Sequence, residues 1–273
     1  MTFLSMMIAL ALHQVVQPKQ RFPGDDALFA WQAWLRGRVA APGIQVLVTV
    51  IVPLLLLYWV LNALHGWLFG LPTLLATAAV LLWSLGREDY HSRIESFIAH
   101  RDGGDDEAAW LGLQTLWMPM PPRPVNVEDE DTVAEDTVAK AMARSSQRLL
   151  YCGYQRWFAP LLYFLLLGPV AAAAYRVVLL YAARQDEARY RDLLAWIDWL
   201  PARLLALSFA VTGDFVAVAR GVRLEPSADA PTVLVCAATA AVQGEPRGRD
   251  IRDLLYRTAG LWLVVASLVI IFA

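Results

Sequence analysis

Residues Ile44–Leu64 form an apolar run without one charged side chain, and no other feature restricts the possible folds as much. A helix needs about 20 apolar residues to cross the hydrocarbon core of a bilayer. Further apolar blocks lie at Thr2–Val16, Leu68–Leu85, Trp157–Ala183, Leu193–Val218 and Gly260–Ala273. The chain is 58% hydrophobic over 273 residues, against roughly 45–50% for a soluble domain. An excess gathered in blocks predicts an integral membrane protein. The expected fold is all-α: a polytopic inner-membrane helical bundle of about 4–6 membrane segments, two of them broken or re-entrant, with a cytoplasmic helical loop. Met1–Val16 lacks a basic n-region and a small-residue cleavage site, so it is expected to stay as a short first span.

Charge divides the chain further. Residues 1–86 read as N-terminal transmembrane helices and 87–156 as a cytoplasmic helical hairpin with an acidic linker. Residues 157–218 read as broken or re-entrant membrane helices, 219–259 as a cytoplasmic segment, and 260–273 as a C-terminal transmembrane helix. Lys19, Arg21, Arg36 and Arg38 follow the first block; the loop Gly86–Arg156 carries eight Lys/Arg and Ala219–Ala259 six. Positive loops stay inside, so the N-terminus is expected outside. The segment "RQDEARYRD" (184–192) is cytoplasmic only if the two interrupted blocks are hairpins.

Within the long loop, "REDYHSRIESFIAHR" places Ile94, Phe97 and Ile98 on one helical face. "DGGD" is a turn, with Asp105 or Asp106 as N-cap of a second helix that sets Trp110, Leu113 and Trp117 on one side. "MPMPPRP" is an extended connector, and "VNVEDEDTVAED" a solvated acidic stretch.

Charges inside apolar blocks are costly, and they mark the residues worth weighing. In "LLAWIDWLPARLLALSFAVTGDF" (193–215), Asp198 can cap a break with Pro201 in the first turn, leaving Arg203 to stack on Trp199 one turn back. In the other reading Asp198 and Arg203 face a polar cavity that holds an anion. Arg176, in "GPVAAAAYRVVLLYAA", wants an acid from another segment: Asp198, Asp214, Glu88 or Asp89. Arg176, Asp198 and Arg203 are expected to share a water-reachable hollow. Arg87, Glu88 and Asp89 form a polar cluster at the cytoplasmic end of the third block, which reads first as a solvated helix end.

Other chemistry is excluded on composition. A net charge of −2 provides no field for nucleic acid. Four His and two Cys have no ligand spacing, so no metal site is expected. There is no phosphate-cradling glycine loop, nucleophile elbow, HExxH or dinucleotide fingerprint.

Four stretches carry a resemblance: "ALHGWLFGLPTLL" (63–75), "LGREDY" (85–90), "RWFAPLLYFLLLGP" (156–169) and "IDWLPARLLALSFAVTGDF" (197–215). Together they resemble the AmpE family of inner-membrane proteins, regulatory signalling modulators of β-lactamase induction, akin to the CobD/CbiB cobalamin-biosynthesis proteins. That enzyme branch's "APLFY…YK" element is matched by Ala159, Pro160, Tyr163, Tyr175 and Arg176. Its "RY" and "N-x-x-PAR" are matched by Arg189, Tyr190, Asp198, Pro201, Ala202 and Arg203. Its acidic run is replaced by Gln147, Tyr151, Cys152 and Gln155, and its "NTLDSMVGY" by "LLYAARQDE". The resemblance therefore implies a retained scaffold without cobinamide-synthase activity, and no cofactor. Arg176, Arg189, Tyr190, Asp198 and Arg203 are the anion-pocket residues it points to. The implied partners are the lipid bilayer, an anionic or cell-wall-derived ligand, and a membrane or cytoplasmic protein. The alternative is a membrane-embedded transferase or amide ligase on a phosphorylated or lipid-linked substrate, which would need Mg²⁺ and ATP.

Overall fold

The structure, a computed structural model, describes residues 7, 24–39, 41–64, 70–86, 90–105, 108–109, 111–112, 147–183, 188–221, 228–244 and 246–272. Among these residues every regular element is helical. In chain order they are α1 (Gly24–Arg36), α2 (Pro42–Ala63), α3 (Leu71–Leu85), α4 (Tyr90–Asp102), α5 (Ala159–Leu167), α6 (Pro169–Ala182), α7 (Ala188–Thr212), α8 (Phe215–Gly221), α9 (Ala230–Val242) and α10 (Gly248–Phe272). A helical stretch at 147–153 enters α5 through a π-helical turn, Tyr154–Phe158. Most of the first apolar block, the cluster Arg87, Glu88 and Asp89, the proline-rich connector and the acidic stretch lie outside the described residues. So do Trp110, Leu113, Trp117 and residues 184–187.

Among the described residues two helices are long and apolar enough to cross a membrane, over Gly43–Ala63 and Arg189–Thr212. The first is 11% buried and the second 50%. Leu47, Leu55, Leu56, Tyr58 and Trp59 on α2 are all more than half exposed.

The chain divides into two compact units. One comprises Met1–Glu88, Ala159–Trp196 and Val269–Ala273. Its hub is α6, which packs against α1, α2, α3 and α5. Ala172 and Ala173 are fully covered, and small side chains let neighbouring backbones come close. Between α5 and α6 the chain turns at Gly168, with φ 87° and ψ −173°. An L side chain is strained there, and Pro169 starts the next helix where no N–H is needed. Were α5 and α6 one straight helix, Tyr163 and Tyr175 would lie about 18 Å apart. Their rings instead stack with centroids 5.7 Å apart, so the expected break at Gly168–Pro169 is a helical hairpin. Tyr181 ties α6 to α1 by donating to the Leu28 carbonyl at 3.0 Å. Within the same unit, the Trp83 indole donates to Asp25 at 3.0 Å.

The other unit comprises Asp89–Phe158 and Ile197–Leu268. Ile94, Phe97 and Ile98 form the buried face of α4, as their spacing predicts. Gly103 and Gly104 turn the chain after α4, and Asp105 is the cap, accepting from the Ala108 N–H at 3.0 Å. Against α4 lies α10, where Gly248 leaves room for Phe97 and Ile98 and Arg252 bonds Glu95 at 2.9 Å.

The block at 193–218 corrects the sequence reading. It is not broken at Asp198–Pro201: α7 runs unbroken from Ala188 to Thr212 with Pro201 inside it. Asp198 is therefore a mid-helix residue and not an N-cap. The interruption falls instead at Gly213–Asp214, where the Asp214 carboxylate accepts from the Ala217 N–H at 2.9 Å and caps α8. Gly213 is held against α9: a Cβ there would lie 2.6 Å from the Ala241 Cβ. A proline inside a helix costs about 3 kcal/mol, and burial of the Pro201, Ala202 and Arg203 turn provides the offsetting packing.

Candidate functional site

The described polar cluster with the deepest burial is built around Asp198, in the second unit. Asp198 has no exposed surface, and an isolated buried carboxylate is so costly that it must be hydrogen-bonded. The partners come from the stretch before α5. Tyr151 and Tyr154 are three residues apart, hence neighbours on one helical face. Their rings stack with centroids 5.7 Å apart. The Tyr151 hydroxyl donates to Asp198 Oδ2 at 2.6 Å and the Tyr154 hydroxyl to Oδ1 at 2.9 Å. Tyr154 also lies 3.2 Å from the Asp198 carbonyl oxygen. An ionised carboxylate only accepts, so both tyrosines are the donors. A separation of 2.6 Å is typical of a charge-assisted O–H···O⁻ bond.

Local sequence explains how the tyrosines reach that position. The π-helical turn Tyr154–Phe158 ends two residues before Pro160. Proline has no N–H to bond the carbonyl four residues earlier, and one wide turn absorbs the mismatch. Gln155, next to Tyr154 in the chain, is also buried. Gly153 admits the Tyr90 ring, whose hydroxyl donates to the Leu149 carbonyl at 2.8 Å and anchors this stretch to α4.

Arg203 follows Asp198 by five residues, which sets the two about 140° apart around α7. Its guanidinium stacks over Trp199 at 4.3 Å from the ring centre. It donates to the Trp199 carbonyl at 3.0 Å and to the Ala228 carbonyl at 3.2 Å. Arg203 is only 7% exposed, so it acts as an internal clamp onto the approach to α9. The stacking on Trp199 is the contact that the one-turn spacing suggests.

Arg176, Arg189 and Tyr190 belong to the first unit. Arg176 is half-buried on α6 and Arg189 is exposed at the start of α7. Tyr190 is buried, with its ring 5.2 Å from that of Tyr181. Sequence reasoning singled out Asp198 but missed Tyr151 and Tyr154 as its partners. The available signal was a pair of tyrosines at helical spacing.

Outside the cluster, Asp214 is held below the ordinary carboxylate range, first by the Ala217 N–H and then by the Gln243 amide. Arg252 is pushed above the ordinary guanidinium range by its bond to Glu95 and then by Asp253. Among the described residues no three His, Cys, Asp or Glu side chains are grouped as metal ligands.

No curated protein and no solved structure shows significant similarity to the chain. The family model described as "Regulatory signalling modulator protein AmpE" matches residues 1–218, which include α1 to α7, the tyrosine pair, Asp198 and Arg203. That match covers most of the 273 residues, and the chain belongs to the AmpE family of regulatory signalling modulators.

Proposed function

We propose that this protein is a multi-pass protein of the bacterial inner membrane that modulates β-lactamase induction or cell-wall recycling signalling. It would couple an anionic or cell-wall-derived ligand, or a protein partner, to that response. The membrane reading is carried by α2, an uncharged helix whose apolar side chains face outward. A soluble core helix would bury such a surface, whereas lipid accepts it. Loop charge supports an outside N-terminus, with residues 87–156 and 219–259 in the cytoplasm.

The role is regulatory and not that of a cobinamide synthase. Tyr151 and Gln155 stand where the related enzymes are acidic, and here Tyr151 is used to hold Asp198. The Arg203 guanidinium donates to backbone carbonyls and stacks on Trp199, which also favours a structural use. The test is deletion of the gene, followed by a β-lactamase induction assay and a profile of cell-wall fragments. Altered induction or fragment levels, restored by the native gene but not by Asp198→Ala at equal abundance, are expected. Unchanged induction and fragments under challenge would refute the regulatory role.

A further inference from the structure

Helix α1 lies across one end of the unit built on α6. From Asp25 to Arg36 it extends about 17 Å, and α2 starts shortly after it, at Pro42. Folded back along α2, α1 would carry Asp25 that far from the first turn of α2. Asp25 is instead bonded to Trp83, in the last turn of α3. The last turn of α3 and the first turn of α2 share an end of the unit, because the Thr73 hydroxyl joins the two helices at the other end by donating to the Leu64 carbonyl at 2.9 Å. The last turn of α6 meets α1 as well: Tyr181 bonds the Leu28 carbonyl, and its ring lies edge-on to Phe29 at 6.3 Å.

Gln32 and Leu35 form the covered side of α1. Trp31, Trp34 and Arg38 follow at spacings of three and four, so they line one flank of the helix and its closing turn. The two indoles stack with centroids 5.3 Å apart and planes 16° apart. The Arg38 guanidinium lies 3.9 Å over the Trp34 ring. Its contact to the Trp34 carbonyl is long, at 3.5 Å, so most of the donor fork stays open to the outside. Trp34 is 50% exposed, and Ala30, Ala33 and Gly37 beside it are exposed and small. The outward apolar side of α2 begins just after the stripe, with Ile44 58% and Leu47 57% exposed.

A half-exposed indole with a cation on its face suits the zone between acyl chains and headgroups. Phosphates there give the guanidinium an anionic partner. The exposed acids Asp25 and Asp26 do not oppose this: they sit at the far end of α1, about 17 Å away along the axis, beyond a Debye length of about 8 Å. We propose that α1 is an in-plane helix at the cytoplasmic surface of the membrane, and that its Trp31–Trp34–Arg38 stripe recognises anionic phospholipid headgroups. The proposal rests on the membrane reading of α2 and on the loop charge that places Lys19, Arg21, Arg36 and Arg38 inside.

The test uses the full-length protein in nanodiscs, with Cys236→Ser leaving only the buried Cys152. A fluorescent probe is attached at Ala33→Cys, beside the intact stripe, or at Val52→Cys, midway along α2. Lipid bromines near the acyl carbonyls should quench the Ala33 probe most, and bromines deep in the chains the Val52 probe. At equal content, brominated phosphatidylglycerol should quench the Ala33 probe more than brominated phosphatidylcholine. Arg38→Gln should lower that preference about fivefold, the equivalent of about 1 kcal/mol for a basic residue at an anionic surface. Arg38→Lys should keep most of the preference, and Arg101→Gln, on α4, all of it. An unquenched Val52 probe removes the membrane reading and this proposal with it. A quenched Val52 probe with an unquenched Ala33 probe overturns the proposal alone, and cross-linking between the Ala33 positions of two chains would then give the face to a second copy. Equal quenching by the two lipids, or an equal loss for Arg38→Gln and Arg101→Gln, also overturns it.

Discussion

Replacing the tyrosines that hold Asp198 with phenylalanine removes two hydroxyls and keeps both rings. Tyr151→Phe deletes the 2.6 Å bond to Oδ2 and leaves Tyr154 on Oδ1; Tyr154→Phe does the reverse. A hydrogen bond to a charged group contributes about 1.5–3 kcal/mol, so each single variant should lose that much. At roughly 2–4 °C per kcal/mol for a protein of this size class, melting should fall by roughly 3–12 °C. The double variant strips both hydroxyls from a carboxylate with no exposed surface. Stranding a buried charge costs about 3–5 kcal/mol or more, so the double loss should exceed either single one. Adding Asp198→Leu to the double variant should then recover stability, because removing both sides of a buried polar contact is far less costly than removing one. Tryptophan fluorescence during thermal unfolding in detergent reads all four proteins. A double variant that melts with the native protein, or an Asp198→Leu addition that destabilises it further, would refute the assignment of Asp198 as a charge held by these hydroxyls.

Three other expectations test separate parts of the molecule. Leu55→Arg and Leu56→Arg place a charge on the outward apolar face of α2; each should cost about 2.5–3.5 kcal/mol of insertion if that face meets lipid and lower the membrane-integrated fraction. Unchanged integration would contradict the lipid-facing assignment. Gly213→Val puts a branched side chain where a Cβ already meets the Ala241 Cβ at 2.6 Å and its carbonyl oxygen at 2.9 Å, and should destabilise by about 1–3 kcal/mol as an overpacked contact, read by the same unfolding assay. The Asp214 carboxyl is held low by the Ala217 N–H and the Gln243 amide. Its contribution is therefore complete above the unfolded value of about 3.9 and is lost as pH falls through the folded value. Asp214→Asn should flatten the acid limb of stability below about pH 4, and an acid limb identical to that of the native protein would count against the cap.

Local pattern was enough for much of this architecture. An unbroken apolar run marks α2, and apolar periodicity marks the buried face of α4, because a 3.6-residue repeat must place Ile94, Phe97 and Ile98 together. Gly168–Pro169 announces the corner of the α5–α6 hairpin, because one residue accepts positive φ and the next needs no N–H. The resemblance in residues 156–169 and 197–215 likewise led to the family. Asp198–Pro201, with the same kind of local signal, misled: a cap residue before a proline resembles a helix start, yet α7 continues through both. Propensity is worth a few kcal/mol at one position, and long-range burial of the following turn can exceed it. The partners of Asp198 lie 44 and 47 residues earlier in the chain. No periodicity links residues at such a distance. Only the folded chain, by taking the carboxylate away from water, determines which hydroxyls must replace its solvation.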